Sequence, residues 1–508
     1  MNRILLALVC AGWITTPLAA EAPLPEWLQY YKMAAEAGDP EAQVKMGLAY
    51  EAGQAVPADP QRALHWYRLA ALQNDPVGQY NLALVLLNGR GVPQDVATGL
   101  DWLTRAAAQN LPAAQNYLAH LYETGQFVAR DDAEAVKWLT RAANLGDADA
   151  MNNLALKFAT GRGVAKDPAQ ALKWFTAAAQ KGQPLAMFNL ATIYREGLDG
   201  VGADFAQALK WYRAAAQGGH AAAKAKLGWM YLKGQGVEKD PVAAARWFAE
   251  AARAGDLDAL TQLGWMAEQG IGMAPDLATA VRHYREAAEK KHPLAANNLG
   301  VLYRDGRGVA ADVAAAEKWF RIAAEGGDPE GQFNLAALLE NQPGKADEAL
   351  AWYRRAAEQG LAAAQARLGW LLLARDQASD AAEWLTRAAR QGDVAAQNNL
   401  GVLYESGRGV PQDPAQAAEW YRRAAEAGDA AAQNNLGQLL RDGRGVARDP
   451  AQAMAWFRKA AAQKYTKAML NLARLLEEQA AAPAASGPER TPLALPPVPV
   501  GTPLPASR

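Results

Sequence analysis

The sequence predicts an all-α solenoid of about twelve to thirteen stacked helix pairs. Three observations carry that prediction. A tryptophan followed by an apolar residue returns about every 36 residues. Glycine-rich turns followed by an aspartate return in the same frame. The composition is 51% hydrophobic, much of it alanine, and 8% aromatic, which suits closely spaced helices.

The tryptophan step is found at Trp66-Tyr67, Trp102-Leu103, Trp138-Leu139, Trp174-Phe175, Trp211-Tyr212 and Trp247-Phe248. His283-Tyr284 takes the same place. The step resumes at Trp319-Phe320, Trp352-Tyr353, Trp384-Leu385, Trp420-Tyr421 and Trp456-Phe457. Tyr30-Tyr31 precedes the first step by 36 residues. A fixed period of this size marks stacked supersecondary units, not separate domains.

Each unit reads as two helices. In residues 429–463, Asp429 caps the first helix, and Ala432, Leu436, Gly437 and Leu440 share one face. Gly443 and Gly445 end that helix, because glycine accepts the positive φ of a helix terminus. Asp449 caps the second helix and Pro450 takes its first position, where the missing N–H loses no bond. Ala453, Trp456, Phe457, Ala460 and Ala461 form its apolar face. Asp59, Asp95, Asp131, Asp167, Asp204, Asp240, Asp276, Asp312 and Asp413 hold the same capping place as Asp449.

The repeat resembles the Sel1-like repeat. Residues 396–428 match its pattern closely, at Ala396, Leu400, Gly401, Tyr404, Gly407, Gly409, Val410, Asp413, Ala417, Trp420, Tyr421, Ala424, Ala425 and Gly428. The resemblance spans about 26–479. It implies a right-handed α-solenoid related to tetratricopeptide repeats, usually a scaffold that binds protein. Some cysteine-rich members have been linked to β-lactam binding. This chain lacks those cysteines, so that property does not carry over.

Both ends depart from the repeat. Residues 26–37 read as a lone second helix and 465–479 as a lone first helix, with Glu477 and Glu478 near its end. Terminal units of a stack call for a polar outer face. Residues 1–20 read as a signal peptide: Arg3, an apolar stretch from Ile4 to Ile14, then small residues before a cut after Ala20. Val9 is too large for a lipobox before Cys10. The solenoid is assigned to 21–479. Residues 480–508 form a Pro/Ala-rich segment, expected to be disordered or polyproline-like, either a tether or docking segment or a solvated end without a role. The expected location is periplasmic or secreted.

Two units are shorter, at 33 and 32 residues. Asn341 to Lys345 replaces the glycine-valine turn in one, and Ala374 to Ser379 in the next. The change is either a bend or docking seam or a neutral deletion.

Chemistry is hard to place on this chain. The Gly161-Arg162-Gly163-Val164 turn and its copies lack the preceding strand and third glycine of a dinucleotide loop. His65, His120, His220, His283 and His292 never take zinc-helix spacing. No cofactor or metal is expected, and no enzymatic activity. A net charge of −1 and a pI near 6.6 argue against nucleic acid. No apolar run is long enough to span a bilayer.

A partner would meet the first helices. Residues two before the Leu and one after the Gly of each Leu-Gly step form a stripe, which lines the concave surface in the tetratricopeptide family. Its aromatic members are Tyr80, Phe188, Trp229, Trp265, Phe333 and Trp370. The repeat does not demand tryptophan there, so Trp229, Trp265 and Trp370 are candidate anchors for a protein or peptide; the competing reading is that they fill space over Ala225, Thr261 and Ala366. The asparagine before the leucine, as at Asn153 and Asn435, is expected to bond backbone or loop groups of a neighbouring helix. Alternative readings are a cell-wall-acting enzyme or glycan-binding protein, and a secreted factor that binds a host protein. The oligomeric state is left open.

Overall fold

The computed structural model describes residues 24–200 and 202–481. The expected signal peptide (1–20) and the proline-rich segment from 482 onward lie outside the described residues. Among the described residues, twenty-six α-helices follow one another. The chain divides into two compact units, Met1–Pro275 and Asp276–Arg508. Within each unit a helix packs chiefly on its neighbours in sequence, as a stack of repeats requires.

The repeat at 394–426 shows how the sequence builds a pair. Asp393 accepts from the Ala396 N–H at 2.7 Å and starts helix Val394–Ser406. Gly407 ends it at φ 72°, and the Arg408 N–H reaches back to the Leu403 carbonyl. Asp413 then accepts from Ala415 and Gln416, both at 3.0 Å, ahead of helix Pro414–Glu426. All ten aspartates assigned to this capping place make such a bond.

The close contact inside a pair runs through Gly401. A Cβ there would lie 2.6 Å from the Tyr421 ring. Gly47, Gly228, Gly300 and Gly437 face Tyr67, Phe248, Phe320 and Phe457 in the same way. These rings are fully buried. The tryptophans before them are not. Trp66, Trp102, Trp138, Trp174 and Trp456 are half-buried; Trp319, Trp352 and Trp420 are buried but keep 7–8% exposure, and the Trp420 indole N–H is unpaired. The sequence reading gave both members of the step the same packing role; the structure gives the deep position to the second. At nine of the steps the tryptophan lies under a cation three residues on or one residue back. Arg423 sits 4.6 Å from the Trp420 ring and Lys459 4.1 Å from Trp456.

The short repeats keep their helix pairs but change their last turns. Helix Pro329–Glu340 ends on Asn341 at φ −92° instead of a left-handed glycine. The next helices, Ala346–Glu358 and Ala378–Arg390, start without a side-chain cap at Lys345 and Gln377. Leu339 and Leu372 are buried where the full repeats bury the residue one earlier, as at Leu403 and Leu439.

The ends are a correction. Helices Glu26–Glu36 and Thr466–Ala481 are the lone second and first helices expected. Their outer faces are not polar. Trp27, Tyr30, Tyr31 and Met33 are exposed at one, and Met469, Leu470 and Leu476 at the other, beside the expected Glu477 and Glu478.

Candidate functional site

The first helices present their outward stripe in two registers. The residue after the Leu-Gly or Leu-Ala step stands beside the small residue that faces the buried ring and keeps part of its surface in solvent. Trp229, Trp265 and Trp370 stand there and are 36%, 37% and 48% exposed. Leu48, Leu156 and Val402 occupy the same register and are also exposed. The sequence reading placed these aliphatic residues on the stripe but singled out only aromatic ones.

Two of the three tryptophans are held from one side. The Trp229 ring meets the Phe248 ring edge-on at 5.5 Å, and Lys233 lies 5.2 Å from its centroid. Arg367 lies 4.5 Å from the Trp370 ring and pairs with Glu340. That carboxylate raises the Arg367 pKa further. Each of these two indoles therefore offers apolar surface next to a fixed positive charge. The cations stand four after and three before their tryptophan, the spacing that brings helical side chains together.

The other register, two before the leucine, is different. Tyr80, Phe188 and Phe333 are half-buried. Tyr80 meets Tyr117 edge-on at 6.3 Å, and Phe333 meets Tyr353 at 5.5 Å. Phe188 stacks on His220 at 4.5 Å and leans on Tyr212 at 5.6 Å. Burial pushes the His220 imidazole pKa down.

Where this register holds asparagine, the structure shows a clasp. Asn153 donates to Asn116, Asn189 to Asn152, Asn334 to Asn297, Asn435 to Asn398 and Asn471 to Asn434, at 2.8–3.3 Å. Each bond joins consecutive first helices. The sequence reading had the recurring asparagine bond backbone or loop groups; these five bond another side chain. Five of the twelve positions in the stripe's second register are thus stack architecture. The signal was present as an offset of 37 residues, one more than the period.

Among the described residues, no group of three or more His, Cys, Asp or Glu side chains could hold a metal ion. None of the described helices is long and apolar enough to cross a membrane.

The Sel1 repeat family model matches residues 28–39 and then twelve further segments that run without a gap from 40 to 465. Among solved structures, the chain is similar to c5321 of uropathogenic Escherichia coli, described as a protective antigen displaying an SLR fold. The two are 31% identical over 92% of this chain and 99% of that one, with a TM-score of 0.59. A Sel1 repeat protein from Oxalobacter formigenes is 28% identical over 74% of this chain and 90% of that one, with a TM-score of 0.43. No curated protein matches the chain. With the repeat geometry and the family match in agreement across nearly the whole described structure, this chain belongs to the Sel1 repeat family.

Proposed function

We propose that the protein is an exported, non-enzymatic scaffold that binds another protein or peptide through the outward stripe of its first helices. The observation that carries this reading is the exposure of Trp229, Trp265 and Trp370 in one register, where packing of the repeat requires no tryptophan. Large indoles beside a fixed cation suit a peptide that places an apolar side chain next to an acidic one. The signal-peptide pattern read in the sequence of 1–20 supports export, as does the description of the E. coli relative as a protective antigen. Envelope assembly, exopolysaccharide secretion or signalling is the setting the family resemblance suggests.

Affinity capture from envelope extract tests the reading. Wild-type protein as bait is expected to retain a protein that a Trp229→Ala/Trp265→Ala bait of equal helicity does not. Equal capture by both baits would rule out the stripe, and recovery of the uncut chain in the inner membrane would rule out export.

A further inference from the structure

The two ends of the described chain are halves of one repeat. Helix Glu26–Glu36 is a second helix without its first, and Thr466–Ala481 a first helix without its second. Each leaves open the face that an internal partner would cover. Tyr31 stands in the column of Tyr67, Tyr421 and Phe457, which are fully buried, yet it is 36% exposed. Leu470 stands in the column of Asn434, which is 2% exposed, and is itself 55% exposed. Met469 and Leu476 are likewise open where Gln433 and Leu440 are buried.

A second relation ties these faces together. Tyr67 bonds Glu51 at 2.7 Å, Tyr353 bonds Glu340 at 2.9 Å and Tyr421 bonds Glu405 at 2.7 Å. Each glutamate lies four residues after the small residue that faces the ring. Opposite Phe175, Phe248, Phe320 and Phe457 that position holds Ala159, Leu232, Arg304 and Arg441 instead. Tyr212 departs from the rule and bonds Thr192. In the last helix the small residue is Ala473, and four residues on stands Glu477. A tyrosine and a glutamate of the kind paired inside the stack therefore stand apart, at opposite ends of the sequence.

We propose that copies of this chain join head to tail, the last helix of one packing on the helix Glu26–Glu36 of the next to complete a repeat. The Tyr31 hydroxyl of one copy then donates to Glu477 of the other. Trp27 occupies the column of Ala63, Ala417 and Ala453, so the seam is wider there than an internal pair. The join is heterologous, and it closes into a ring or continues as a filament.

The test uses the full chain with its proline-rich end intact, weighed by light scattering over a range of concentrations. The wild-type mass is expected to rise with concentration. Tyr30→Glu/Tyr31→Glu and Met469→Glu/Leu470→Glu variants, each with wild-type helicity, should each stay monomeric. Mixed together they should form a one-to-one dimer and nothing larger, because each keeps the end the other has lost. Tyr31→Phe and Glu477→Gln should each weaken association roughly fivefold, and the double variant no further, as one shared bond requires. Three results would overturn the proposal: a wild-type chain monomeric throughout, dimers formed by either blocked variant alone, or association only after residues 482–508 are removed. The last would mean that this segment covers an end.

Discussion

Asn471 donates to Asn434 at 2.8 Å across consecutive first helices, and both side chains are buried. A buried amide left without its partner carries its desolvation penalty uncompensated. Asn434→Ala is therefore expected to destabilise the C-terminal repeats by about 1–3 kcal/mol. Asn471→Ala on top should add nothing or recover part of the loss, because it removes the amide left without a partner. Hydrogen exchange over 430–481 reads this best, since repeat arrays can open in stages. Additive costs would mean that the two amides act separately.

The two members of the tryptophan step should separate on truncation. Phe457 is fully buried, and Phe457→Ala should cost about 3–5 kcal/mol. Trp456 is half-buried under Lys459, so Trp456→Ala should cost roughly half as much. Asp413→Ala removes one cap and should cost about 1 kcal/mol. Denaturant titration ranks the three. A larger loss at Trp456 than at Phe457 would contradict the assignment of the deep position.

The stack and its period were legible in the sequence because Leu, Gly, Asp and the aromatic step recur in register. Which member of Trp420-Tyr421 lies deeper was not legible, since both are largely apolar. The answer depends on Gly401 facing one ring and on a cation covering the other. The stripe was legible as a set of positions. Its division was not: Tyr80, Phe188 and Phe333 lean on neighbouring rings, whereas Trp229, Trp265 and Trp370 keep a face in solvent. That difference arises from tertiary packing, which repeat spacing alone does not reveal.

Glycine in the turn and glycine in the helix should respond differently to a methyl group. At Gly409 φ is 78° and a Cβ would lie 2.2 Å from the Ala378 carbonyl oxygen. At Gly401 it would meet a side-chain ring, and the chain itself carries Ala155 and Ala336 in that column. Gly409→Ala should therefore cost about 2 kcal/mol or more, and Gly401→Ala about 1. Chemical unfolding of both variants checks the order, which equal losses would refute.

Lys157 occupies a core column that holds Leu121, Met230 and Met266 in other repeats. Its ammonium meets Glu123 at 2.8 Å and Asp132 at 2.9 Å. Hydrogen bonds from Lys157 and Arg130 hold the Asp132 carboxyl at about 2, below its usual 3.8. A depressed carboxylate pKa stabilises the fold above the unfolded value. That contribution is lost as pH falls from about 4 through about 2. Lys157→Met removes one partner and leaves both carboxylates without their ammonium, so it should lower stability at neutral pH. The deficit should shrink as the solution is acidified across that window, because the wild type loses the pairing there. Urea titrations at stepped pH measure it, and a deficit that stays constant or widens on acidification would contradict the pairing.

The account turns on whether the exposed indoles anchor a partner. Calorimetric titration of the captured protein against wild type and the Trp229→Ala/Trp265→Ala variant, with helicity matched by circular dichroism, tests this most directly. Loss of two anchors is expected to weaken binding by about thirtyfold or more. An unchanged dissociation constant for a fully folded variant would contradict the assignment of this face.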